Sequence, residues 1–193
     1  MEEALELYKK YGNNGYIGEK VTQLEHATQC SLLAEEYCKE NNVDDRTRND
    51  LVLGCLFHDI GHLIFYDNPE LETMEEYGVM HHELVGSKYL SNLGFNKNIC
   101  EFVENHIITK RYLITVNPSY YEQLSDASKK TFKYQGGKLT EKELNDFKSS
   151  ELFMYHLKVR DFDDKAKSTE KTLLDKIKNM NHLDYYSKFM LPS

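Results

Sequence analysis

Apolar residues recur at intervals of three and four along most of this chain, the period of helices that bury one face. Residues 2–10 make a short amphipathic segment, and the glycine-rich YGNNGYIG (11–18) ends it in a loop. From Glu19 to Glu40 the positions Val21, Leu24, Leu32, Leu33 and Tyr37 keep the helical spacing, which predicts a long helix that opens at Glu19. Asn41-Asn42 closes it, and the polar ENNVDDRTRND reads as surface loop. Asp44 or Asp45 is placed to cap the next helix, which runs to about Ile60 with Gly61 as its stop. Residues 79–93 and 97–109 predict two more helices around a turn at Gly94-Phe95. Pro118, Ser125, Ser128 and Gly136-Gly137 divide 116–140 into short helices and loops, and helices resume at about 140–162 and 170–190. No stretch alternates with period two for long enough to make a sheet. The expectation is an all-α fold in a single domain, residues 1–193.

Composition narrows the class without changing that picture. A chain of 193 residues with 40% apolar content can bury a core without staples. The net charge of −8 argues against non-specific nucleic-acid binding and against an anionic membrane surface, so an anionic ligand must meet locally placed cations. Cys30, Cys38, Cys55 and Cys100 form no CxxC pair and sit inside helical patterns, which reads as buried thiols in a reducing compartment. No apolar run approaches a transmembrane length and the N-terminus lacks a signal-peptide pattern, so the expected location is cytoplasmic.

The chemistry concentrates in histidines and aspartates. In LVLGCLFHDIGHL an apolar run ends in His58-Asp59, adjacent imidazole and carboxylate, both ligands for iron, manganese or zinc. Neighbours on a helix point about 100° apart, so one side chain can end on a single ion while the other bridges two. A buried charge after CLF is costly unless it is paired or on a metal. His26, His82, His106 and Asp163 complete a set of six with them, enough to wrap two ions. Each has a plain alternative. A lone helical histidine is more often a satisfied core or surface residue, His81 competes with His82, and Asp163 belongs to the acidic cluster RDFDDKAK.

As an ordered set, H…HD…D resembles the HD-domain superfamily, an all-α metal-binding fold named for its His-Asp pair. YIGEKVTQLEHA, HDIGH, HHELVGSKYL, NHIITKRYL, LSDASKKTFKYQGG and VRDFDDKAK together look like the mixed-valent di-iron oxygenases of that superfamily, which cleave carbon–phosphorus bonds. The resemblance covers roughly residues 11–170; one departure is a connection between His26 and His58 longer than expected for the family. It implies two iron ions, Fe(II)/Fe(III), held by His26, His58, Asp59, His82, His106 and Asp163, with Asp59 bridging and O2 as co-substrate. It further implies a small-molecule substrate, a 1-hydroxyphosphonate, with 2-amino-1-hydroxyethylphosphonate, yielding glycine and phosphate, as the leading candidate.

Lys110 stands four residues after His106 and Arg160 three before Asp163, so on helices each shares a face with a ligand. Taken singly, Lys110, Arg160, His62, Ser128, Thr131 and Gln135 are as well explained by solvation and capping; the resemblance makes them contacts to the phosphonate. Tyr16 and Glu19 are the discriminating pair. The resemblance implies that Tyr16 reaches a metal in the empty site and swings away for substrate, while Glu19 faces an amino end. A phosphohydrolase of the same fold, acting on a small phosphate ester or nucleotide, would use the same six ligands but has no need of that pair. A ligand-binding module that has lost catalysis is disfavoured by the complete ligand set.

Overall fold

The computed structural model describes residues 1–190 as helices and connecting loops, with two isolated backbone bridges and no strand among them. The helices are α1 (Glu2–Tyr11), α2 (Gln23–Glu40), α3 (Asp45–Phe57), α4 (Ile60–Ile64), α5 (His82–Asn92), α6 (Lys97–Val116) and α7 (Pro118–Gln123). They continue as α8 (Asp126–Tyr134), α9 (Glu141–Lys148), α10 (Phe153–Lys165), α11 (Lys171–Lys178) and α12 (His182–Ser187). The all-α expectation is met.

Several boundaries differ from the sequence reading, each for a local reason. The second helix opens at Gln23, not Glu19, because Thr22 and Glu25 form a capping box: the Thr22 hydroxyl accepts from the Glu25 amide and the Glu25 carboxylate accepts from the Thr22 amide. Glu19 therefore lies in the preceding loop. Asp44 is the cap of α3, accepting from the Thr47 amide, so most of ENNVDDRTRND is helix rather than loop. That helix ends at Phe57, and Gly61 does not stop it: Gly61 lies inside α4, where a Cβ would stand 2.0 Å from the His82 carbonyl oxygen. The glycine lets α4 and α5 touch backbone to backbone. The helix begun at Lys97 continues to Val116, and the stretch 140–162 is two helices broken at Ser149–Leu152.

The core joins α3, α6 and α10 through Leu51, Leu53, Leu56, Phe57, Phe102, Val103 and Val159, all fully buried. Helix α2 packs on α3 and α10, α5 on α4 and α6, and α10 on α6. All four cysteines are buried and free, as the pattern of thiols in helices predicted. No helix among the described residues is long and apolar enough to cross a membrane.

Candidate metal centre and active site

Five helices deliver the six metal-type residues to one place. His26 comes from α2, His58 from the end of α3, Asp59 from the joint between α3 and α4, His82 from the first residue of α5, His106 from α6 and Asp163 from α10. All six are buried. His81, the competing histidine, sits in the left-handed region at φ 54° with a side chain 63% exposed. That leaves His82 as the inward one.

The six form two groups, His26–His58–Asp163 and Asp59–His82–His106, in each of which the donor atoms lie within 4.8 Å of one another. Asp59 faces both. Its Oδ1 is 3.3 Å from His82 Nε2 and 3.4 Å from His106 Nε2, while its Oδ2 is 3.3 Å from His58 Nε2 and 3.7 Å from His26 Nε2. Asp163 Oδ1 stands 3.4 Å from His26 Nε2 and has no hydrogen-bond donor of its own. A carboxylate with one oxygen toward each group can bridge two ions.

The tautomers are set by the backbone. His58, His82 and His106 each direct Nδ1 at the carbonyl three residues back, at Cys55 (2.8 Å), Val79 (3.2 Å) and Val103 (2.6 Å), and His26 Nδ1 meets the Ala166 carbonyl at 2.9 Å. A carbonyl only accepts, so every Nδ1 carries hydrogen and every neutral ring turns its Nε2 lone pair inward. Those lone pairs meet in two pairs, His26–His58 at 3.1 Å and His82–His106 at 3.0 Å. Two lone pairs that close repel unless a proton or a cation lies between them. With carboxylate oxygens on the same spots, the donor set fits a divalent or trivalent metal ion in each group.

Electrostatics agree. Burial opposes charge on Asp59, but its surroundings, His58 first and then His106 and His82, hold its carboxyl well below the usual range. Burial likewise opposes charge on Asp163, and the Arg160 guanidinium, 2.7 Å away, overcomes it, with His26 assisting. Burial also disfavours a charged His58, yet the Asp59 carboxylate and Cys30 raise its pKa, a field that a bound cation would equally satisfy.

A cavity of about 60 Å³ opens on the Asp59–His82–His106 side. Tyr16, Glu19, His62, Lys110, Ser128, Thr131, Gln135 and Arg160 all line it, so every substrate-type residue named from the sequence is brought there. Lys110 is buried and its Nζ donates to Thr131 Oγ1 at 3.1 Å. The Thr131 hydroxyl spends its own hydrogen on the Ser128 carbonyl at 3.2 Å, so it serves here to position Lys110 rather than as a free donor. His62 accepts from the Val79 amide at Nδ1 (3.0 Å), which puts its hydrogen on Nε2, and its ring stacks on His82 at 3.9 Å. Burial, then the neighbouring His82, lowers its pKa well below the ordinary value, and the ring is a neutral donor. Gln135 ends α8 with Oε1 buried and unpartnered.

Tyr16 stacks on the His26 ring at 3.8 Å between centroids, with its phenol against the Asp59 carboxylate. Burial, then Asp59 and Asp163, raises the phenol pKa well above its usual value. Its loop closes at Gly18, φ +75°, where a Cβ would meet Ala127 of α8 at 2.8 Å. Three neighbours of the site escaped the sequence reading: Lys167, Tyr120 and Asp164. Lys167 also lines the cavity, Asp164 holds Arg160 from the side opposite Asp163, and Tyr120 donates to Asp164. Lys167 lies beyond the end of α10, so no helical spacing marks it in the sequence.

A family model described as HD domain matches residues 24–177. The chain belongs to the HD-domain family. Among the relatives of this HD-domain protein is an uncharacterised protein of Acanthamoeba polyphaga mimivirus, 39% identical over 187 residues, covering 97% of this chain and 78% of the relative. A [1-hydroxy-2-(trimethylamino)ethyl]phosphonate dioxygenase (glycine-betaine-forming) of Leisingera caerulea is 29% identical over 164 residues, 85% of this chain and 78% of that one. A hydroxymethylphosphonate dioxygenase of Gimesia maris is 33% identical over 164 residues, 84% and 75% of the respective chains. The HD-domain enzymes to which the chain is related thus include two hydroxyphosphonate dioxygenases that differ in what their substrates carry beside the hydroxyl.

Proposed function

We propose that this chain is a di-iron oxygenase that uses O2 to cleave the C–P bond of a 1-hydroxyphosphonate, with 2-amino-1-hydroxyethylphosphonate as the leading substrate. The balance closes without another reductant: the substrate and one O2 give glycine and phosphate. The observation that carries the reading is the two-sided Asp59 carboxylate opening onto a small cavity lined by Lys110, Arg160 and His62. His26, His58, Asp59 and Asp163 would hold one iron and Asp59, His82 and His106 the other. When bound, a mixed-valent Fe(II)/Fe(III) pair would supply the redox chemistry with O2 that side chains lack.

The chain's own part is binding, orientation and exclusion of water. Lys110 and Arg160 give the phosphonate two buried cations, and charge-assisted bonds of that kind are the strong ones. The His62 Nε2–H, its tautomer set by Val79, donates to a phosphonate oxygen, and the Ser128 hydroxyl and Gln135 amide lie on the same wall. Glu19 stands at the end remote from the phosphonate, where an amino group would meet its carboxylate in exchange for Lys167. Tyr16 covers the His26 side and would move aside on a loop that turns at Gly18, in the manner of a lid.

A phosphohydrolase of the same fold is the competing reading. A hydrolase has no use for Tyr16 stacked over a ligand histidine. The deciding experiment is O2 uptake and phosphate release by the iron-loaded protein with a panel of 1-hydroxyphosphonates. One carboxylic acid and one O2 per phosphate are expected, and none under argon. Release of phosphate from phosphate esters under argon, with no O2 uptake on any hydroxyphosphonate, would replace the oxygenase by the hydrolase.

A further inference from the structure

One charged group in the cavity wall has no role of its own in the reading above. Lys167 follows α10 and is carried by the short segment Ala166–Ser168. That segment is clamped to α2: the Gln29 amide donates to the Ser168 carbonyl at 3.1 Å and accepts from the Ser168 amide at 2.8 Å. Its Ala166 carbonyl is the one that orients His26. The clamp therefore holds Lys167 at a set distance from the metal-type residues and leaves its long side chain to find a partner. The partner is Glu19.

Lys167 Nζ lies 3.3 Å from Glu19 Oε1, with both side chains 18% exposed. The contact is a charge pair without hydrogen-bond geometry, since Glu19 Oε1 is buried and accepts no hydrogen bond. A carboxylate oxygen in that state lacks a donor. A primary ammonium on a ligand in the cavity would offer both the charge and an N–H. Lys167 already supplies the charge, so any ammonium that comes to Glu19 must compete with it.

We propose that Lys167 is a specificity-determining residue: it occupies Glu19 as an internal cation, and thereby penalises phosphonates with an ammonium group relative to those without one. The inference rests on the reading of the cavity as a phosphonate site, and deepens it by naming what sets the choice at the end remote from the phosphonate. With Lys167 on Glu19 that end has no net charge, and the cavity accepts an uncharged substituent at no electrostatic cost. With Lys167 removed the same end is anionic and selects cations.

The test compares two unreactive probes of nearly the same size, 2-aminoethylphosphonate and ethylphosphonate, by calorimetric titration of the iron-loaded protein under argon. The readout is the ratio of the two dissociation constants, ethylphosphonate over 2-aminoethylphosphonate. In Lys167→Met the ratio should rise about two- to fivefold, the scale of a partly exposed ion pair. In Glu19→Gln/Lys167→Met the rise over Glu19→Gln alone should be smaller than the rise of Lys167→Met over the wild type, because only direct repulsion between Lys167 and the probe's ammonium is then relieved. A merely structural Lys167 would weaken both probes together and leave the ratio where it was. An unchanged or lowered ratio in Lys167→Met, or a rise as large without Glu19 as with it, overturns the proposal while leaving the phosphonate site intact. Failure of the wild-type protein to bind either probe would overturn both.

Discussion

At the scale of single residues, Lys110 is the most exposed to test. Burial, with the Arg160 charge second, lowers its pKa to about 7, against the pull of Asp163 and Asp59. Its cationic form is complete only below that pH, so its contact with a phosphonate should be lost as pH rises through about 7. Lys110→Arg keeps its charge throughout. Titrations of ethylphosphonate between about pH 6 and 9 should therefore show the wild type losing affinity relative to Lys110→Arg on the alkaline side; parallel curves would remove the lysine from the binding step. Lys110→Ala should weaken binding at least about tenfold with iron content intact, the scale of one charge-assisted bond at roughly 1.5–3 kcal/mol. The shift has a stability sign too. Between about 7 and the ordinary value of 10.5 the unfolded chain binds the proton that the folded one does not, so stability should rise with pH across that window.

At the scale of elements, the site depends on how closely α4 and α5 approach. A methyl at Gly61 would lie 2.0 Å from the His82 carbonyl oxygen, and His82 is the first residue of α5. Gly61→Ala must push α5 away and carry His82 with it. Overpacking of this kind costs about 1–3 kcal/mol, or roughly 2–10 °C in a chain of this size. Thermal unfolding should show that loss, and iron analysis should show the Asp59–His82–His106 position depleted before the other. A variant with wild-type melting and full iron would mean that the two helices slide apart freely. Legibility at this scale was mixed. The period placed the long helices, but it does not mark their ends. The start of α2 lay in Thr22-Gln23-Leu24-Glu25, a capping-box pattern that outranks apolar spacing because it satisfies orphan amides.

For the whole molecule, the two donor groups are a joint between five helices. Buried carboxylates and opposed lone pairs are repulsive when nothing lies between them, so metal binding should be worth folding energy. An ion at about a hundredfold excess over its dissociation constant adds roughly 2.7 kcal/mol, which in a chain of this length is about 5–10 °C. Chelation should lower the melting temperature by that much and returned iron should restore it. Identical melting with and without chelator would show that the groups hold no metal.

The sequence by itself determined the helical class, the adjacency of His58 and Asp59, and two of the four histidine tautomers. The last of these is local: for His58 and His106 the carbonyl three residues back lies on the same helix, within reach of Nδ1 wherever the helix goes. Tertiary structure decided whatever depends on residues far apart in the chain. It chose His82 over His81 by burying one ring, and it set His26 with a carbonyl 140 residues away. It turned Thr131 from a donor into the support of Lys110. It also gave Glu19 a loop instead of a helix and Lys167 as its partner. Hydrogen bonds and ion pairs are decided within a few ångströms, and periodicity resolves only which face of a helix a residue occupies, not what stands opposite it.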